Sequence, residues 1–363
     1  MSMTGARRTT RAGVAGLLVG ALLLAGCGSD REGDVQIVVP EGASAAHIAE
    51  ILEDEGLIGS PRLFALYARI GGSAANLKSG TYRIPAGASW RQIVERLEAG
   101  AVETIAFTVP EGFTAAQIAE VVARVSGEPV ESVEALAADT TFAAELGLPG
   151  PDLEGYLFPE TYRVAEGLAA RDILRIMVDK YREFWTSERR AAADSSGRSE
   201  REVVTLASIV ETEARVAEEM RTIAGVYANR LEIGMLLQAD PTVQYALGSR
   251  RTRLLYADIH SVADNPYNTY TNPGLPPGPI ASPGADALAA ALQPAEHDYL
   301  FFVARPDGSH VFTRTNREHI NAKNRIRDEA ERAEREARTA ARDSARAAEA
   351  READGDGPPT GGL

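Results

Sequence analysis

The chain has 363 residues, 44% of them apolar and 25% charged, enough for two domains and a sizeable core. Its formal net charge of −14 excludes a basic nucleic-acid footprint and gives no pull toward anionic lipid, so any membrane contact must come from an inserted segment. Cys27 is the single cysteine, so the fold rests on its core and not on disulfides.

An export signal opens the chain. Arg7, Arg8 and Arg11 precede the uncharged run AGVAGLLVGALLLAGC (12–27), which is short for a spanning helix. Leu24-Ala25-Gly26-Cys27 resembles a bacterial lipobox, in which the cysteine is lipidated; the alternative is an uncleaved single-pass anchor. Either reading tethers the rest to the cell (inner) membrane, facing the periplasm or the outside.

A repeat follows. IVVPEGASAAHIAEIL (37–52) and FTVPEGFTAAQIAEVV (107–122) are identical at nine of sixteen positions, and YRIPAGASWRQIVERL (82–97) is a weaker copy. Each is a β-branched or aromatic run, a Pro-x-Gly turn, and a helical pattern. Ser44, Ser89 and Thr114 stand where helix caps belong, with Gln92 and Gln117 three residues on. The stretch 57–70 adds a helix with Ser60 as cap and Pro61 at its first position, so residues 35–84 read strand–helix–helix–strand. That order resembles a LysM-like glycan-gripping module; a ligand-free α+β spacer is the alternative.

Short helices are expected over 126–150, helical patterning over 168–193, a polar loop over 194–200, and a further helix over 203–220. NPYNTYTNPGLPPGPIASPG (265–284) holds six prolines, a rigid loop that suggests a shaped site. DYLFFVA (298–304) and HVFTRT (310–315) read as a hairpin about a PDGS turn. Beyond it, acid-before-base pairs such as Glu331/Arg335 and Glu334/Arg338 support an exposed helix, and DGDGPPTGGL is expected to be disordered.

Several chemistries lack their residues. His47, His260, His297, His310 and His319 form no paired metal motif, and neither a GxSxG elbow nor a phosphate loop is present. No cofactor or metal is expected. Carboxylates remain. In VVTLASIVETEARVAEEM (203–220), Val203, Leu206, Ala207, Val210, Ala214 and Ala217 share one arc of the wheel, and Glu211 and Glu213 flank it on opposite sides. Both would be partly desolvated, which raises a carboxyl pKa toward general-acid use. The bland readings are an ion pair of Glu211 with Arg215 and a loop bond for Glu213. Periodicity does not choose between them.

Neighbouring stretches carry amides, hydroxyls and aromatic faces that suit a neutral sugar chain. LEGYLFPETY offers Glu154, Tyr156 and Glu160; LLQADPTVQYALG offers Gln238, Asp240 and Thr242; YNTYTNPGLPPG offers Tyr267, Asn268, Tyr270 and Asn272. For each, core packing with buried hydrogen bonds is the competing reading.

Taken in order, LEGYLFPETY, LASIVETEA, ANRLEIGMLLQADPTVQYALG, YNTYTNPGLPPGPIASPG and FVARPDGSHVFTRTNREH resemble the endolytic murein transglycosylase (YceG-like) family over about residues 35–322. The resemblance implies an α+β chain: an anchor over 1–29, a LysM-like module over 35–100, a mixed α/β catalytic domain with a C-terminal hairpin over 101–322, and a charged tail over 323–363. It implies a lyase that cuts nascent peptidoglycan strands internally and ends their elongation, with cell-wall synthases as further candidate partners. The family's acid is the first glutamate after Ser-Ile-Val, here Glu211, and Glu213 becomes its support. The rivals are a muramidase-type hydrolase with Asp240 as second carboxylate, and a non-catalytic glycan-binding lipoprotein.

Overall fold

The structure is a computed structural model that describes residues 33–353 apart from 41, 101, 102 and 250. The signal-like segment, Cys27 and DGDGPPTGGL lie outside the described residues. The architecture is α+β: helices dominate, and the strands form three two-stranded antiparallel sheets. No helix among the described residues is long and apolar enough to cross a membrane.

Two compact units emerge. The first takes residues up to Thr108, Glu120–Val133 and Thr161–Leu174; the second takes Val109–Ala119, Glu134–Glu160 and the chain from Arg175 onward.

In the first unit, β1 (Asp34–Val39) leads through α1 (Ala45–Asp54) and α2 (Pro61–Ile70) to β2 (Gly80–Pro85), which pairs with β1 so that Ile37 faces Tyr82. α3 (Trp90–Ala99) and β3 (Thr104–Thr108) follow. The strand–turn–helix repeat forms as its turn residues dictate. Ser44 accepts from the His47 N–H at 3.2 Å, and Ser89 with Gln92 closes a reciprocal capping box. Ile37, Ile48, Leu52, Phe64, Ile84, Ile93 and Leu97 interlock as the core.

The third copy continues into α4 (Ala115–Ser126), capped by Thr114, whose hydroxyl accepts from the Gln117 N–H. After α5 (Val130–Ala137) and α6 (Thr140–Glu145), β4 (Thr161–Ala165) pairs antiparallel with β3. The helical patterning over 168–193 forms two helices, α7 (Ala170–Phe184) and α8 (Ser187–Ser196). Thr186 breaks the run by capping α8, accepting from the Arg189 N–H at 3.3 Å, and α8 extends into the stretch expected to be loop.

The second unit is built around α9 (Glu200–Glu213), started by a capping box between Ser199 and Glu202 and buried on all sides from Val203 to Val210. It packs against α10 (Met220–Glu232), α11 (Asp240–Ala246) and α13 (Ala285–Leu292), and the short α12 (Tyr256–Ser261) falls between α11 and α13 in the chain. The helix expected to reach residue 220 stops at Glu213. Ala214 turns extended at ψ 132°, and a 3-10 turn over Ala217–Glu219 starts α10 afresh. The hairpin forms as β5 (Phe301–Ala304) and β6 (His310–Thr313), and α14 (Asn316–Ala353), the last element among the described residues, carries Glu331–Arg335 and Glu334–Arg338 ion pairs on its surface.

The proline-rich loop is locked to α9. The buried Ser208 hydroxyl accepts from the Ile280 N–H at 3.0 Å. Gly155, at φ +83°, lies so close to the Pro279 ring that a Cβ would overlap it.

Candidate active site

Glu211 sits in the last turn of α9, half-buried. The end of the helix decides its surroundings. With α9 closed at Glu213, Arg215 no longer stands one helical turn above Glu211, and the expected ion pair gives way to a different bond. The Gly284 N–H, at the N-cap of α13, donates to Glu211 Oε2 at 2.9 Å. Burial pushes the Glu211 carboxyl up to about 7; Glu111 and Asp286 add to the rise, and the Gly284 bond opposes it.

Glu111 and Gly112 belong to the Pro-x-Gly turn of the third repeat. A two-way backbone exchange holds that turn in place: Gly112 N–H donates to Ser282 O at 2.9 Å and Ser282 N–H to Phe113 O at 2.8 Å. Position 112 faces the Glu211 stem, so a Cβ there would stand 3.8 Å from Glu211 Cγ.

Two further carboxyl-centred groups lie in the same unit. The Glu213 carboxylate accepts from the Tyr227 hydroxyl at 3.0 Å. Burial pushes it up to about 7, with Asp240 raising it further and Arg230 drawing it back. Arg230 bonds the carbonyls of Leu237 and Leu300, and Tyr270 donates its hydroxyl to Asp240. Glu213, Asp240 and Tyr270 are thus brought together.

The second group centres on Glu154, which is buried and pushed up to about 8 by desolvation. It accepts from the Ala115 N–H at 3.0 Å, at the first turn of α4, and from the Tyr245 hydroxyl at 3.3 Å. Tyr245 in turn packs on Tyr267, with ring centroids 4.8 Å apart. This carboxyl makes a test. Its native value lies above the ordinary 4.5, so the folded chain holds a proton that the unfolded chain releases. Its share of stability is full below about pH 4.5 and lost as pH rises toward 8, with a ceiling on the order of 5 kcal/mol. Denaturation midpoints of Glu154→Gln should therefore fall less than those of the parent between pH 6 and 9.

The remaining expected residues divide by burial. Tyr156 is fully buried, with its ring edge-on to Tyr181. Thr242 is buried and bonded to Ala239 O and Thr269. Asn268 is buried, with its amide on the carbonyls of Ile259 and Val262. None of these three has surface to offer a ligand; they support the site from within. Asn272 ties its own loop through Asn265 O and Asn268 O. Gln238 is exposed in a left-handed conformation, φ 49°, and Glu160 is exposed beside β4. Glu111, Gly284, Tyr227, Arg230 and Tyr245 were not singled out by sequence. Four of them lie in or beside motifs already quoted, which was the available signal; Tyr227 lies just upstream of ANRLEIG.

A half-buried carboxylic acid held by a backbone amide and flanked by a second carboxylate is an arrangement suited to general acid/base chemistry. The sequence matches the YceG-like family over residues 37–325, and the chain belongs to that family. It is 37% identical over 325 residues to the endolytic murein transglycosylase of Bacillus subtilis (strain 168), covering 84% of this chain and 88% of that protein. The endolytic murein transglycosylase of Streptococcus pneumoniae (strain ATCC BAA-255 / R6) is 31% identical over 329 residues, covering 80% of this chain but 59% of the longer relative. A crystal structure of a yceG-like protein from Listeria monocytogenes superposes with a TM-score of 0.56 at 33% identity, over 80% of this chain and all of that one.

Proposed function

We propose that this chain is an endolytic peptidoglycan lytic transglycosylase, a lyase, with Glu211 as its one acid/base. The observation that carries the reading is the setting of the Glu211 carboxyl, half-buried in the last turn of α9 and held at 2.9 Å by the Gly284 N–H, with burial raising its pKa. The Gly284 amide engages Oε2 and leaves Oε1 to hold the proton.

Cleavage then needs a single group. Glu211 gives its proton to the glycosidic oxygen between MurNAc and GlcNAc as that bond breaks. The carboxylate so formed takes the proton from the C6 hydroxyl of the same MurNAc, whose oxygen closes onto C1. The product is a 1,6-anhydro end, and Glu211 returns protonated. An intramolecular nucleophile makes closure entropically cheap. A hydrolase instead places a second carboxylate ~5–9.5 Å away to attack or to activate water. One observation favours that second reading, the Glu111 carboxylate beside Glu211. Mass spectrometry of products from uncrosslinked glycan strands separates the two. Anhydro ends are one water lighter than reducing ends, and the expected result is anhydro ends alone.

The wider assignment follows from the same reading. Asp240, Tyr267 and Tyr270 border the strand-binding surface, with the buried Glu154 bonded to Tyr245 behind it, and the β1–α1–α2–β2 unit is a LysM-like grip on glycan. The anchor is the segment 12–27, which holds the enzyme at the membrane, where it ends elongation of strands supplied by cell-wall synthases.

A further inference from the structure

Gly284 is a glycine for no torsional reason. Its φ of −76° and ψ of 176° suit any residue, and an N-cap usually takes Ser, Thr, Asp or Asn. Space gives the reason. The three atoms nearest to a Cβ built there all belong to the Glu111 side chain, and the carboxylate would be overlapped. Glu111 therefore rests on the bare Cα of the residue whose N–H holds Glu211.

The turn itself does not need an acid. In the second repeat the equivalent residue is Ala86, in the Pro85-Ala86-Gly87 turn of a strand–turn–helix unit capped by Ser89. In the third repeat the turn is fastened twice, through Ser282 and through the Ala115–Glu154 bond, so Glu111 is delivered to a fixed place.

We propose that Glu111 is a positioning residue that acts through Glu211: its carboxylate, laid on Gly284, adds negative charge beside the Glu211 carboxyl and fixes the line of the Gly284 N–H. The charged groups that face Glu211 are Glu111, from this turn, and Asp286, from the first turn of α13, and both favour the protonated acid. The inference rests on Glu211 being the acid.

The test uses the full chain and uncrosslinked glycan strands, with kcat/KM measured against pH. Removing the charge in Glu111→Gln lowers the pKa of Glu211, so the alkaline limb moves to lower pH. A shift of roughly half a unit is expected, about a threefold loss on the alkaline side, with anhydro products unchanged. Glu111 is exposed, so the difference between the two proteins shrinks in high salt. Gly284→Ala keeps the amide but displaces the flexible Glu111 carboxylate, and moves the limb the same way. Glu111→Asp restores it in part. An alkaline limb unmoved in both Glu111→Gln and Gly284→Ala at low salt overturns the proposal. So does loss of activity at every pH in Glu111→Gln, which would mean direct contact with substrate. If Glu211→Gln is active, the acid assignment falls first; if it is inactive and the limb stays put, only the Glu111 role falls.

Discussion

Glu211→Gln loses cleavage of uncrosslinked glycan strands by about a thousandfold or more, the range expected when a general acid is removed. The substitution keeps the shape of the side chain. Its amide oxygen still accepts from the Gly284 N–H, so the turn and α13 stay where they are. Strand binding should persist, and the loss should fall on kcat. Stability gives an independent check. The parent must desolvate a charge above pH 7, where Glu211 ionises, and the variant need not. The variant should therefore be at least as stable as the parent at pH 8 while inactive. Turnover within tenfold of the parent would sink the assignment. Glu213→Gln should retain turnover, because Glu213 is held by Tyr227, Arg230 and Asp240 at the back of the same helix end.

Gly155→Ala is the second large effect, and it falls on folding. Two penalties add. The backbone at φ +83° costs an L-residue about 1–2 kcal/mol. The new Cβ also meets Pro279, which cannot swing aside, and comes within 3.2 Å of Val204 Cγ1 on α9. Overpacking of that kind costs about 1–3 kcal/mol. A loss of about 3 kcal/mol is expected in a denaturant series followed by the fluorescence of Trp185, buried in the core of the second unit, in a Trp90→Phe background. A loss below about 1 kcal/mol would mean that the proline loop yields. The position matters to chemistry because the same loop runs on through Ile280 and Ser282 to Gly284, so its seat on α9 sets where the amide points.

What could be read in advance was local. Ser44, Ser89 and Thr114 cap helices through residues three positions away, and the PDGS hairpin closes on itself; periodicity and turn chemistry suffice there. The end of α9 was not readable. ETEARV holds no glycine or proline, and the helix ends while the Glu213 carboxylate takes bonds from α10 and α11. The break at Trp185–Thr186 is similar: an aromatic cluster of Tyr181, Phe184 and Trp185 ends α7 where periodicity alone would continue. Glu211 was named through resemblance, and the structure adds its amide partner and its burial. Glu111 and Gly284 escaped because neither breaks a local rule strongly. Their meaning exists only where two stretches far apart in the chain come within contact of a third.

The last helix carries a mechanical consequence. α14 has 38 residues, and beyond Ala322 every described side chain but Ile326 is exposed, so packing does not hold residues 323–353. As a helix that arm is a rod of about 46 Å. The surface ion pairs that favour the rod are screened by salt. Ionic strength thus sets the reach of this arm.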